Sequence, residues 1–220
     1  MQIFALIAFL LSSYFMGSIP FGLLIVKLIT GRDIRRIESG RTGGTNAMRA
    51  AGFWAGLLTA VLDILKSAVC VWLAQIWFAG NVWVEIFAPI LAIIGHNYSI
   101  FLTERDQRGR LRLRGGAGGA PCVGGSLGFW VPSVLFIVPM AGLILYFIGY
   151  ASVTTLSIAF LSVVIFAYRA WLGFSPWQYA IYGIIAEVVL IWALRPNIRR
   201  LLSGNERLVG LRSKKIIRRH

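Results

Sequence analysis

The stretch that decides the fold is Cys122-Val-Gly-Gly-Ser-Leu-Gly-Phe-Trp-Val-Pro132-Ser-Val-Leu-Phe-Ile-Val-Pro139-Met-Ala-Gly-Leu-Ile-Leu-Tyr-Phe-Ile-Gly149. It carries no charge over 28 residues. As one straight helix it would be about 42 Å long, against a bilayer hydrocarbon core of about 30 Å. It also contains two prolines, either of which is able to break a helix. Two short or re-entrant segments are therefore predicted in 122–149, bringing the chain back near 150–155 to the side from which it started.

The rest of the chain makes that return necessary. The protein has 220 residues, 58% hydrophobic and 14% charged, with a net charge of +14 and a mean hydropathy of +0.76. Soluble domains carry about 25% charged residues, and disorder requires low hydrophobicity, so both classes are excluded. Apolar runs at 3–26, 53–79, 82–101, 122–149, 153–167 and 177–194 fit a polytopic all-α membrane protein at about 20 residues per crossing. Five arginines lie in 31–50, five more in 104–121, and nine of the 22 basic residues follow from Arg195. The positive-inside rule places these three segments in the cytoplasm and the N-terminus outside. With the return in 122–149 the total is about seven helices, and the tail stays inside. One membrane-embedded domain over 1–203 is expected, followed by a basic cytoplasmic tail over 204–220.

Basic loops orient membrane proteins whether or not they bind anything, so topology alone is one reading of the arginines. The other is an anionic partner. No aromatic-interleaved basic domain lies outside the membrane, so nucleic acid is not expected; lipid headgroups or a phosphorylated substrate fit better. Cys70 and Cys122 make neither a disulfide framework nor a metal cluster, and His96 and His220 are too far apart for a histidine-rich site. No metal and no cofactor are expected. The first apolar run lacks a basic leader and a clean cleavage site and reads as a retained helix.

Two loops carry candidate chemistry. The first reads Glu38-Ser-Gly-Arg-Thr-Gly-Gly-Thr-Asn-Ala-Met-Arg49. Its glycines let backbone N–H groups approach an anion; Ser39, Thr42, Thr45 and Asn46 add neutral donors, and Arg41 and Arg49 add forked charged ones. A flexible polar loop capping the next helix is the alternative. The second reads Arg112-Leu-Arg-Gly-Gly-Ala-Gly-Gly-Ala-Pro-Cys-Val-Gly-Gly125. Non-helical backbone at that depth requires protein burial or a wet cavity around it; close packing through Gly115 and Gly119 is the alternative. Asp63 and Lys66, three apart, pair on one helix face, either as a staple or as a functional intramembrane charge. His96 is a candidate base or anion ligand. A His followed five residues later by Asp is absent, because position 101 is Phe.

In order along the chain come Gly17-Ser-Ile-Pro-Phe-Gly22, Ser39-Gly-x-x-Gly-x-Thr-Asn-x-x-Arg49, Asp63-x-x-Lys66, Gly95-His96, Gly115-Gly-x-Gly118, Ser152 and Asn197-Ile-Arg-Arg-Leu-Leu-Ser-Gly204. This series resembles the acyl-phosphate-dependent glycerol-3-phosphate acyltransferases of bacterial inner membranes. The resemblance implies transfer of a fatty acyl group from acyl phosphate to the 1-hydroxyl of glycerol 3-phosphate, with lysophosphatidic acid and phosphate as products. It also implies no acyl-CoA, a cytoplasm-facing site and a monomer among membrane lipids. By motif, Ser39 and Arg49 act in catalysis. Thr45 and Asn46 bind the phosphate or polar head. Gly115, Gly116 and Gly118 supply backbone donors beside the acyl phosphate, Ser152 completes the anion pocket, and Asn197 contacts glycerol phosphate. The sequence departs from the family where a lysine becomes Ala117, a histidine becomes Leu194, and Glu38 and Arg41 replace a glycine and an asparagine. Arg41, Arg112 and Arg114 are the candidates to restore the missing charge. A catalytically silent relative that binds phosphate-headed lipids or a partner enzyme is the alternative, and a small transporter a weaker one.

Overall fold

A computed structural model of the chain describes residues 2–105 and 109–209. The expected tail beyond 209, with His220, and Arg108 of the second basic loop lie outside the described residues.

Nine α-helices and one hairpin follow in order among the described residues: α1 (Gln2–Ser18), α2 (Phe21–Thr30), α3 (Gly44–Ala51), α4 (Phe53–Trp77), α5 (Val82–Asn97), β1 (Ser99–Arg105), β2 (Leu111–Arg114), α6 (Gly119–Phe129), α7 (Ser133–Phe147), α8 (Ala151–Trp171) and α9 (Gln178–Leu202). Four helical stretches are long and apolar enough to cross a bilayer: Gln2–Thr30, Phe53–Trp77, Ala151–Trp171 and Gln178–Leu202; Val82–Asn97 and Ser133–Phe147 are shorter apolar helices. Large side chains face outward along them, Phe4 at 79% exposure and Trp171 at 79%. An apolar surface of that extent belongs against lipid.

Local chemistry sets the boundaries. Pro20 separates α1 from α2, and Gly31 in the left-handed region (φ 69°) ends α2 by donating its N–H to the Lys27 carbonyl. Asn81 caps α5 by accepting from Val84 N–H at 3.4 Å. The apolar run 122–149 breaks at one proline only. Trp130 is extended, Pro132 opens α7, and Pro139 lies inside α7. The two short segments predicted there are α6 and α7. Gly119, Leu145 and Ala151 all line one cavity, so the chain leaves that end of the bundle along α6 and returns to it along α7. Helix α8 then runs away and α9 comes back, bringing Asn197 to the same cavity.

The core lies between α5, α6, α8 and α9, around Ile86, Ile93, Cys122, Phe166, Tyr182 and Leu190. Cys70 and Cys122 are both buried, free thiols.

The all-α expectation needs one amendment. Within the apolar run 82–101 α5 ends at Asn97, and β1 pairs antiparallel with β2, Thr103 opposite Leu113 and Arg105 opposite Leu111. Ser99 is buried and its hydroxyl donates to the Ser18 carbonyl at 2.6 Å, which pulls the chain out of the helical path. The hairpin aligns the second basic loop, and Arg35 (3.0 Å) and Arg114 (2.7 Å) meet on Glu104.

Candidate active site

A cavity of about 340 Å³ opens at the loop end of the bundle. Three helices begin on its wall: α3 at Gly44, α6 at Gly119 and α8 at Ala151. The first-turn N–H groups of a helix have no partner within it, and each N-terminus carries about half a positive charge. None of the three has a side-chain cap. Convergence of such ends is a ready site for an anion. Gly118 makes the second of them possible: its φ is +83°, and a Cβ would lie 2.5 Å from Leu190 Cδ2 and 2.8 Å from Asn97 Oδ1. That conformation and that space admit glycine alone.

Side chains add charge and donors. Arg41 is half-buried and spans three segments: Nη1 donates to the Gly116 carbonyl at 2.7 Å, and Nη2 donates to the Ala193 carbonyl at 3.0 Å and to Asn197 Oδ1 at 2.9 Å. Burial, and then the charge of Arg200, pull its guanidinium below the usual pKa; arginine remains charged regardless. Asn46 is buried, and its amide NH₂ donates to the carbonyls of Ile34, Ile37 and Arg41. It holds the first loop in shape and leaves Oδ1 without a partner. Ser39, Thr45 and Arg49 line the cavity. Among the described residues Arg49 has no hydrogen bond or ion pair within the protein, so its fork is free for a ligand. Ser152, 2% exposed, faces the cavity with its hydroxyl unpartnered.

The structure thus brings Ser39, Arg41, Thr45, Asn46, Arg49, His96, Gly118, Ser152 and Asn197 to one wall. It places Arg114, Gly115 and Gly116 behind it. Arg114 is paired with Glu104 at 2.7 Å. The Gly115 carbonyl accepts from Thr42 N–H at 3.3 Å, and Gly116 N–H donates to the His96 carbonyl at 2.8 Å. These contacts anchor the glycine turn to the first loop and to α5, and Gly118 and Gly119 line the cavity.

Glu206, and the meeting of His96 with Asp63 and Lys66, went unread in the sequence. Glu206, with its side chain 5% exposed, accepts from Asn197 Nδ2 at 2.7 Å and from Arg200 Nε at 3.2 Å. The segment that carries it is strapped down by Val209 N–H on the Gly149 carbonyl at 2.7 Å. The Gly-x-Glu ending after Asn197 was its only sequence signal. Asp63 and Lys66 pair at 2.7 Å as their spacing predicts, and His96 joins them from another helix, 3.0 Å from Lys66 and 3.5 Å from Asp63. No local motif could have announced that meeting. Among the described residues no group of three His, Cys, Asp or Glu side chains could hold a metal ion.

Fold and site together define a multi-pass helical membrane protein with a cavity among its loops on which three helix N-termini and Arg41 and Arg49 converge. The chain belongs to the glycerol-3-phosphate acyltransferase family, whose model matches residues 7–204. It is 36% identical over 207 residues to "Glycerol-3-phosphate acyltransferase 2" of Moorella thermoacetica, covering 93% of this chain and 97% of that protein. It is 33% identical over 200 residues to a glycerol-3-phosphate acyltransferase of Syntrophomonas wolfei, covering 90% and 94%. Its structure is similar to crystal structures of PlsY, an integral membrane glycerol 3-phosphate acyltransferase. The TM-score is 0.77 at 29% identity for the glycerol 3-phosphate form and 0.75 at 28% for the lysophosphatidic acid form, each covering 94% of this chain and 96% of that one.

Proposed function

We propose that this protein transfers a fatty acyl group from acyl phosphate to the 1-hydroxyl of glycerol 3-phosphate, the first step of phospholipid synthesis. The observation that carries this reading is the convergence of three uncapped helix N-termini and the free Arg49 fork on one cavity. Both substrates bear phosphate, and a pre-formed cationic, donor-rich cradle holds phosphate without reorganisation.

The hydroxyl oxygen forms the ester bond to the acyl carbon, the bond from that carbon to the phosphate oxygen breaks, and the hydroxyl proton leaves with the phosphate. Acyl phosphate is an activated mixed anhydride, so positioning and charge stabilisation suffice and no nucleophilic side chain is needed. Arg49, Ser39 and Thr45 bind glycerol 3-phosphate; Gly118 and the start of α6, with Ser152, bind the acyl phosphate; Asn197, oriented by Arg41, contacts the polyol. Gly115, Gly116 and Arg114 support the turn. The acyl tail stays in lipid. The protein works as a monomer without a cofactor in the bacterial inner membrane. About seven spans make up one domain over 1–203; the N-terminus is outside, and the cavity and the basic tail over 204–220 are in the cytoplasm.

Purified protein mixed with palmitoyl phosphate and glycerol 3-phosphate is expected to release inorganic phosphate and form lysophosphatidic acid, and Arg49→Ala and Ser39→Ala are expected to abolish both. Binding of phosphate-headed lipid with no turnover of any phosphorylated polyol would instead mark a silent relative.

A further inference from the structure

We propose that Lys66 fixes His96 as a neutral imidazole protonated on Nε2, so that His96 serves acyl transfer as a hydrogen-bond donor and not as a base. The catalytic part of this inference rests on the acyltransferase reading above.

A lysine ammonium has three N–H donors and no acceptor. Lys66 has three acceptors in reach: Asp63 Oδ1 at 2.7 Å, the Ile19 carbonyl at 3.0 Å and His96 Nδ1 at 3.0 Å. All three donors are used. Nδ1 must then present its lone pair, and a neutral ring carries its proton on Nε2. An imidazolium would set an N–H against the lysine N–H. Asp63, 3.5 Å from Nδ1, lies nearer Lys66 and balances its charge.

The other edge of the ring looks toward the glycine turn. A Cβ built on Gly116 would lie 1.9 Å from Nε2, with Cε1 at 2.6 Å and Cδ2 at 2.7 Å on either side. Nε2 therefore sits in the space that the missing side chain of Gly116 leaves. Among the described residues it makes no hydrogen bond within the protein, and His96 lines the cavity. As the hydroxyl oxygen bonds to the acyl carbon and the phosphate departs with the hydroxyl proton, negative charge grows on the carbonyl oxygen and on the phosphate. A fixed N–H donor stabilises that charge. A base is not required, because the phosphate takes the proton.

Histidine ring nitrogens report their protonation directly in ¹⁵N NMR. The chain has two histidines, His96 and His220, and His220→Ala assigns them in untagged protein in lipid nanodiscs. At pH 7 His96 is expected to show an unprotonated Nδ1 and a protonated Nε2; an imidazolium, or the proton on Nδ1, overturns the proposal. Lys66→Met is expected to mix the two tautomers. Should the unpaired buried charge of Asp63 keep that variant from folding, the neutral pair Asp63→Asn/Lys66→Met reports the same change. In the phosphate-release assay His96→Gln, which keeps an N–H and offers no base, is expected to retain about 10²-fold more turnover than His96→Phe, with little change in KM. Equal loss in the two variants overturns the donor role. Wild-type protein that fails to turn over defeats the acyltransferase reading, and the tautomer is then decided by NMR alone. Active wild type with the wrong tautomer defeats only the inference made from Lys66.

Discussion

Among the described residues two carboxylates, Asp63 and Glu85, are buried inside helices, one toward each end of the bundle, and they live differently. Asp63, 1% exposed, is paired with Lys66 at 2.7 Å, lies 3.5 Å from His96 Nδ1 and lines the cavity. Glu85, 5% exposed, accepts from the Tyr179 hydroxyl at 2.5 Å and from Gln75 at 3.4 Å. Tyr179 is in turn stacked on Phe129, with ring centroids 4.2 Å apart. One carboxylate is answered by a lysine charge beside a polar site; the other is answered by neutral donors behind aromatic rings. Burial alone therefore does not mark function here. The partners do, because an ionic cluster keeps charge beside the cavity whereas a neutral one closes a joint between α4, α5 and α9.

The comparison breaks most visibly at Lys66. Lys66→Met leaves Asp63 unpaired in the bundle and should cost about 3–5 kcal/mol of stability. Glu85→Gln keeps an acceptor for Tyr179 and should cost about 0.5–1.5 kcal/mol. Thermal unfolding of the purified variants in detergent checks both, and equal shifts would erase the distinction. Next in size is Gly116→Ala, whose Cβ would lie 1.9 Å from His96 Nε2. Turnover should fall about 10²–10³-fold with the protein still folded. Gly142→Ala on α7, where nothing lies within 4 Å, should leave turnover unchanged.

These two ends also show what was legible in the sequence. The apolar runs, their basic loops and the need for a return within 122–149 followed from length and charge. The spacing of Asp63 and Lys66 places them on one helix face. The choice between Pro132 and Pro139 was not legible, since both lack an N–H and only the packing of α6 against α4 decides where the chain turns. The hairpin was hidden by Ile100, Phe101 and Leu102, which prolong the apolar run although Ser99 is bonded away to Ser18. The meeting of His96 with Asp63, and of Arg41 with Gly116, Ala193 and Asn197, depends on contacts between distant segments that no local period encodes.

Smaller effects sharpen the same contrast. Arg41→Ala removes the charged hydrogen bonds that tie the first loop to the glycine turn and α9, and kcat/KM should fall roughly 10–150-fold, the equivalent of about 1.5–3 kcal/mol. Arg41→Lys should recover little, because an ammonium cannot span three acceptors as a fork does. The smallest effect is expected at Asp33, whose carboxyl is held below its ordinary pKa chiefly by hydrogen bonds from the Arg35 side chain. A lowered pKa contributes stability above the unfolded value of about 3.9 and loses it as pH falls through the folded value. Asp33→Asn should therefore flatten the acid limb of the stability profile slightly and leave it unchanged at neutral pH and above, apart from a constant offset.

The central claim is that three helix starts and the Arg49 fork form one phosphate site. Its most direct measurement is the position of the phosphorus atom in an experimental structure of this protein with glycerol 3-phosphate. The expected result is density within hydrogen-bond reach of Arg49 and of the backbone N–H groups that open α3, α6 or α8. Density found only on the outward-facing arginines, with the cavity empty at saturating ligand, would contradict it.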